Sequence, residues 1–334
     1  MTELLSIARQ FFGSSTAVSP LGNGLINLTY LVTTDAEPFV LQCINTHVFS
    51  EPEAILANLA EIGRHIESKS PSDVELQIPR LIRSIAGFDS VRDEMGRHWR
   101  ATNYIADSLS LETLGDLGEA RQTGFALGHF HRLLNDLNPA RLKDTLPGFH
   151  IAPAYLARYR KVLADADSTL INKVCSSFIE HHQAIIDDLE AAKRQGLLPL
   201  RIIHGDPKLN NFLFARDRQK VIGLIDLDTV KPGLLHYDIG DCLRSCCHRI
   251  ENDSFDLEIG EAILDSYLTE AGPFFTGPEY EYLYAAIRLI PFELGLRFYT
   301  DHLEGNRYFK VDGPEQNLLR ALGQFRLCAS IIGR

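Results

Sequence analysis

Apolar residues change their spacing once along this chain. Up to about residue 105 they fall in short runs separated by turns. Segments 30–34 and 38–44 are rich in apolar and β-branched residues and flank Asp35-Ala36-Glu37, which predicts a hairpin. Segments 81–86 and 99–105 predict further strands. Ile55, Leu56, Leu59, Ile62 and Ile66 recur at helical spacing and predict one helix over 53–68. Leu4, Leu5, Ile7, Ala8, Phe11 and Phe12 predict an amphipathic helix at the N-terminus. From Leu111 onward the pattern is helical, over 119–134, 152–164, 172–194, 255–271, 279–288, 289–303 and 314–332. Within that half, 212–214 and 221–225 predict two buried strands joined by the polar turn 215–220. The expectation is an α+β chain of two lobes. A small antiparallel-sheet lobe covers 1–105, a hinge lies at about 102–107, and a larger, mainly helical lobe covers 106–334.

Composition narrows the partners. The chain has 334 residues, 45% of them hydrophobic, so it can bury a large core. Its formal net charge is -11 with no offsetting cluster of Lys and Arg, which argues against a nucleic-acid backbone as partner. No run approaches the roughly 20 apolar residues of a membrane span, and the first residues lack the basic start and apolar stretch of a signal peptide. The six cysteines form no C-x-x-C pair and, although Cys246-Cys247-His248 brings soft ligands together, no four-ligand metal pattern exists. They read as reduced thiols in a cytoplasmic protein.

The chemistry concentrates in 202–244. There IIHGDPKLNNFLF leads to VIGLIDLDTVKPGLLHYDIGDCLR, placing His204, Asp206 and Asn211 as H-x-D-x-x-x-x-N, with Asp226 fifteen residues after Asn211. Phosphoryl transfer needs a carboxylate to orient and deprotonate a hydroxyl, oxygen ligands for magnesium, and a scaffold that fixes both. Asp206 suits the first role. Asn211 closes the loop and Asp226 ends the second strand, so the hairpin brings the two together as magnesium ligands. Gly22-x-Gly24 precedes the first hairpin as a candidate phosphate-covering turn, a weak signal by itself.

A small N-terminal sheet, a hinge, and a helical lobe carrying HGDPKLNN and IDLD resemble the aminoglycoside phosphotransferase and choline kinase superfamily, which has a protein-kinase-like fold. Within it, GNGLINLTY at 22–30, FVLQCIN at 39–45, IDLDTVKPG at 225–233, DIGDCLR at 238–244 and GLRFYTDHLEGNRYF at 295–309 resemble the N-acetylhexosamine 1-kinases. The resemblance covers nearly the whole chain. It implies an enzyme that uses ATP and Mg2+ to phosphorylate the anomeric hydroxyl of GlcNAc or GalNAc. Two positions depart from expectation. Gln42 stands where most kinases of this fold place a phosphate-holding Lys on the third strand, although the 1-kinases are expected to share it. Ser245 stands where an aromatic wall of the sugar pocket is expected, which opens the pocket to other hexoses.

Roles follow residue by residue. Asp206 is the base. Gln42, Lys208 and the hinge residues Thr102, Asn103, Tyr104 and Ile105 are the expected nucleotide contacts. Lys208 reads either as a γ-phosphate ligand or as a solvated loop residue. Asn27, Asp228, Arg297, Asp301 and Tyr308 are the expected sugar contacts, Asp228 alternatively serving a second metal or a turn. A charged Arg297 on an otherwise mostly apolar helix is either functional or paired with Glu293 one turn earlier. His204, Asp238, Asp241 and Arg244 support the site, with Asp238 accepting from backbone N–H groups of the catalytic loop. The alternatives are a kinase of the same fold acting on an aminoglycoside, choline or homoserine, a nucleotide-binding regulator without turnover, which the uncharged Gln42 keeps open, and a metal-dependent hydrolase.

Overall fold

The computed structural model describes residues 2–22 and 26–333; Gly24 of the Gly22-x-Gly24 turn lies outside them. The chain folds as a sheet-bearing N-terminal lobe and a helical C-terminal lobe. The first helix, α1 (Thr2–Phe11), precedes β1 (Ala17–Pro20), β2 (Leu28–Thr33) and β3 (Phe39–Cys43). Helix α2 (Pro52–Glu67) is followed by β4 (Leu81–Ile82), β5 (Val91–Arg92) and β6 (His98–Asn103). These strands form one antiparallel sheet in the order β1-β2-β3-β6-β4, with β5 also on β6. The predicted hairpin is β2–β3, in which Leu31 faces Val40.

Alternation decides what each face of this sheet does. Phe39, Leu41 and Cys43 of β3, with Trp99 and Ala101 of β6, pack with Ile7, Ala8 and Phe11 of α1 into a small core. Gln42 and Arg100 lie on the opposite face, because successive side chains of a strand alternate. Helix α2 turns Ile55, Leu59, Ile62 and Ile66 into the larger core, which continues through the helical lobe.

Next come β7 (Ser108–Ser110), α3 (Leu117–Leu134), α4 (Ala152–Asp165), α5 (Lys173–His182), α6 (Asp188–Arg194) and β8 (Arg201–Ile203). The motif hairpin is β9 (Phe212–Ala215) and β10 (Val221–Leu224), antiparallel as expected, with β7 against β9. Strand β11 (Lys231–Gly233) pairs with β8 and leads into α7 (Leu235–Cys246). The remainder is β12 (His248–Arg249), β13 (Ser254–Phe255), α8 (Leu257–Ala271), α9 (Gly277–Glu281), α10 (Leu283–Leu303) and α11 (Gln316–Ile332). Gly124 and Gly128 let α3 approach α8 so closely that a methyl at Gly128 would lie 2.7 Å from the Tyr267 carbonyl.

Several boundaries differ from the sequence pattern. The stretch 172–194 is broken by a 3-10 turn, Gln183–Asp187. Phe255 belongs to a strand, and α8 starts after Asp256, whose side chain caps the Ile259 N–H. The predicted pair 279–288 and 289–303 is divided at Tyr282 instead, and α10 continues through Pro291. Proline costs that helix one hydrogen bond. Burial on many sides, including Leu289, Phe292 and Leu296 in the core, outweighs the loss.

Candidate active site

Strand β8 delivers the chain into a loop that starts at His204. Gly205 takes φ +89, where a Cβ would lie 2.7 Å from the Thr229 carbonyl, so only glycine fits. The Asp238 carboxylate, 0% exposed, accepts from the N–H groups of His204 at 2.6 Å and Gly205 at 2.8 Å and lies 2.8 Å from His131 Nε2. A buried carboxylate needs such donors. His204 Nε2 donates to the Ile225 carbonyl at 2.9 Å while its Nδ1 accepts the Asp206 N–H at 3.3 Å, which fixes one neutral tautomer. Burial holds its pKa below the ordinary value. Ser245 Oγ accepts the Leu209 N–H at 2.9 Å, so this residue pins the loop.

His150 was not singled out in the sequence. Its Nε2 lies 2.8 Å from the Gly205 carbonyl and its Nδ1 3.2 Å from Glu293 Oε1. Both partners are acceptors, so both nitrogens carry protons. Burial pushes its pKa down, but Glu293, Asp241 and the Gly205 carbonyl together push it up, and the net shift is upward.

Asp206 opens to the cleft, and Lys208 Nζ donates to its Oδ2 at 2.6 Å. Its pKa is raised by burial and by Asp241 and Asp226, against the pull of Lys208. Asn211 Nδ2 donates to the Asp206 carbonyl at 2.7 Å, which leaves its Oδ1 for a cation. The Ile225 N–H donates to the Asn211 carbonyl at 3.0 Å, joining the loop to the end of β10. Asp226 follows in the left-handed region, φ 65, with its carboxylate exposed in the cleft. Enclosure in the cleft and the neighbouring Asp228 raise its pKa, opposed by Lys208 and Arg100. Two oxygen donors, one of them an open carboxylate, fit magnesium, which keeps few protein ligands beside phosphates and water. Asp241 accepts from Arg244 Nε at 2.8 Å, and its Oδ2 is buried with no partner among the described residues.

Asn27 and Asp228, expected at the sugar, are engaged elsewhere. Asn27 Nδ2 donates to Asp228 Oδ2 at 2.7 Å and its Oδ1 accepts the Asn45 N–H at 2.9 Å. Asp228 also pairs with Arg100 Nη2 at 2.5 Å. Gln42 Oε1 accepts from Arg100 Nη2 and Nε at 2.8 and 3.1 Å, and its Nε2 donates to Thr29 Oγ1 at 3.1 Å. Sequence reasoning missed Arg100, because its partners are 58 and 128 residues away along the chain.

Arg297, Asp301 and Tyr308 line one cavity of about 180 Å³, with Phe149, Tyr155 and Phe309. The Arg297 guanidinium lies 5.0, 5.1 and 5.5 Å from the ring centres of Phe149, Tyr155 and Phe309. Among the described residues it makes no hydrogen bond or ion pair; Glu293, its alternative partner, faces His150 instead. Asp301 departs from its expected role. Its carboxylate accepts the N–H groups of Arg307, Tyr308 and Phe309 and the Asn317 amide, all at 2.8–2.9 Å. It shapes the loop that carries Tyr308, which is 49% exposed. The wall opposite is the segment 143–149, held from beneath by Lys231 Nζ through Asp144 at 3.0 Å and the carbonyls of Leu146 and Phe149 at 3.0 and 3.3 Å.

The hinge divides similarly. Thr102 is buried within β6. Asn103 exchanges bonds with Arg80, its N–H donating to the Arg80 carbonyl at 3.1 Å and its Oδ1 accepting the Arg80 N–H at 2.6 Å. Ile105 is buried and its carbonyl accepts from Ser108 Oγ at 2.6 Å. Among the described residues the N–H and carbonyl of Tyr104 and the N–H of Ile105 have no partner, which leaves them for an adenine edge.

Residues 17–283 match the phosphotransferase enzyme family. Solved structures agree in fold. The GDP and kanamycin complex of APH(2")-IIia superposes with a TM-score of 0.68 at 16% identity, covering 97% of this chain and 98% of that one. The microcompartment-associated aminopropanol kinase gives 0.68 at 17% identity, covering 98% and 97%. A Plasmodium vivax ethanolamine kinase gives 0.59 at 11% identity, covering 92% and 80%. The two-lobe architecture is therefore kinase-like. No helix among the described residues is long and apolar enough to cross a membrane.

Proposed function

Because the chain belongs to the phosphotransferase enzyme family, we propose that it is a magnesium-dependent kinase that moves the γ-phosphoryl group of ATP to the anomeric hydroxyl of a hexose. GlcNAc and GalNAc are the acceptors of first choice. Asp206 orients that hydroxyl and takes its proton. An anomeric hydroxyl is more acidic than an ordinary alcohol, and a loose transition state demands little early deprotonation, so a carboxylate suffices. Asn211 and Asp226 hold Mg2+, which when bound neutralises charge on the transferring phosphates. The unpaired groups of Tyr104 and Ile105 receive adenine. Six free cysteines, five of them buried, suit a reducing cytoplasm.

The observation that carries the acceptor class is Arg297. A guanidinium held among aromatic rings, with its N–H donors unused, suits a ring bearing hydroxyl and carbonyl oxygens, with the aromatic faces against its C–H surface. It disfavours a cation. The two acids of the cavity wall offer no compensation, since Asp301 serves the loop and Glu304 pairs with Arg158 at 2.5 Å. A choline, an amino alcohol or an aminoglycoside would bring a second positive charge against Arg297, whose own charge Glu293 and Asp206 already favour. A cavity near 180 Å³ also suits one ring, since roughly 150 Å³ accommodates benzene.

The test is a panel of free sugars, choline, homoserine and aminoglycosides with ATP and magnesium, with products identified by mass spectrometry and phosphorus NMR. A sugar 1-phosphate is expected, and methyl glycosides, whose anomeric oxygen is blocked, should be inert. A 6-phosphate, or turnover of methyl N-acetylglucosaminide, would refute anomeric transfer. Phosphate release without any acceptor would favour the hydrolase, and ATP binding without turnover the regulator.

A further inference from the structure

A buried cation stands one strand away from Gln42. In the register of the sheet, Thr29 of β2, Gln42 of β3 and Arg100 of β6 are directly opposite one another. Their side chains form a continuous row on the face turned away from the α1 core. Arg100 is 3% exposed, and three of its five N–H groups are used, on Gln42 and Asp228. The other two sit on Nη1, which is buried and has no partner among the described residues. A buried donor without an acceptor costs free energy that water or a ligand must offset. Its partner Asp228 lies two residues past Asp226, whose carboxylate feels the Arg100 charge.

We propose that Arg100 Nη1 binds a phosphate oxygen of the nucleotide, so that the cation serving the polyphosphate comes from β6 rather than β3. Gln42 then has a defined part. Its Oε1 takes two N–H groups of the guanidinium and its Nε2 is tied to Thr29, which holds the fork in one orientation. Asp228 takes the third N–H and fixes the charge beside the metal ligand Asp226. The uncharged Gln42 is thus a brace for Arg100. An arginine fork can face two acceptors while presenting a further edge to phosphate, whereas the three hydrogens of a lysine on a single nitrogen cannot reproduce that geometry.

The proposal rests on the kinase reading, and the test separates the two. Binding of adenosine, ADP and ATP, each with magnesium, is measured by calorimetry on the full chain and on Arg100→Lys, which keeps the charge opposite Asp228. Arg100→Lys is expected to weaken ATP by about tenfold or more while adenosine changes by less than about twofold. If Arg100 only braces the fold, ATP and adenosine will weaken together, or neither will change; either result overturns the proposal. A second background, Arg100→Gln with Asp228→Asn, removes both charges and keeps a polar pair. Adding Gln42→Lys there should restore part of the preference for ATP over adenosine, and failure to restore any would count against a phosphate-facing cation at this place. A wild-type protein that binds ATP no better than adenosine would remove the kinase reading itself.

Discussion

Asp206 and Asp226 share a cleft, but we assign them different work. Asp206 faces Lys208, and its charge acts on Arg297; Asp226 sits at the end of β10 with an open carboxylate. Asp206→Ala is therefore expected to lower kcat by about a hundredfold or more while leaving magnesium-ATP affinity near wild type. Calorimetry beside initial rates checks it, and near-normal turnover would remove Asp206 from the chemistry. Asp226→Ala should instead abolish the magnesium dependence of nucleotide binding. Arg297→Leu should raise the acceptor KM by about tenfold or more through loss of charged hydrogen bonds, with the KM for ATP unchanged. The acids were legible in the sequence because their partners are local, on one loop and one hairpin. Arg100 and His150 were not, because each acquires meaning only from acceptors brought to it by strand register or by a distant helix. Asp301 was legible as special but not in its job: a sequence does not reveal that four donors close on one carboxylate.

At the scale of elements, the catalytic loop is held from three sides. Helix α7 supplies Asp238 and Ser245, β10 leads to the Ile225 carbonyl for His204, and α10 supplies Glu293, which acts through His150. The sequence revealed the first of these as an acid just past the motif. The last was hidden, because His150 and Glu293 are 143 residues apart along the chain and only tertiary packing joins them. The His150 bridge gives a pH dependence of known sign. Its folded pKa is raised above the unfolded value of about 6.5, so the stabilisation is complete below that value and is lost as pH rises through the folded pKa. Melting temperature should thus decline on the alkaline side, and in His150→Gln that step should vanish; an unchanged pH profile in the variant would remove the imidazolium from the account. Gly205→Ala should destabilise by at least about 1–2 kcal/mol from the left-handed backbone alone, with further cost from the clash with Thr229, measurable by denaturant unfolding.

Over the whole molecule, Asp228 is a junction. Its carboxylate binds Asn27 and Arg100 of the sheet-bearing lobe, while its carbonyl accepts from Thr145 Oγ1 at 2.6 Å. Thr145 belongs to the 143–149 segment, which walls the Arg297 cavity and is also tied to α2, where Asn58 Nδ2 donates to the carbonyls of Lys143 at 2.8 Å and Val230 at 2.9 Å. One short stretch of chain therefore connects the sheet to which we assign the polyphosphate with the wall to which we assign the acceptor. Nucleotide that orders the Arg100–Asp228 pair should also order that wall, and the acceptor should bind more tightly once nucleotide is present. Linkage demands the reciprocal effect of equal size on nucleotide affinity. Thr145→Val deletes the bond to the Asp228 carbonyl while keeping the side-chain shape and touching neither proposed set of ligand contacts. It should leave each ligand's affinity for the free protein nearly unchanged and reduce the coupling between them. Titrating the acceptor with and without a non-hydrolysable ATP analogue measures that coupling in both proteins. Equal coupling in wild type and Thr145→Val would mean that the two sites communicate, if at all, by another route.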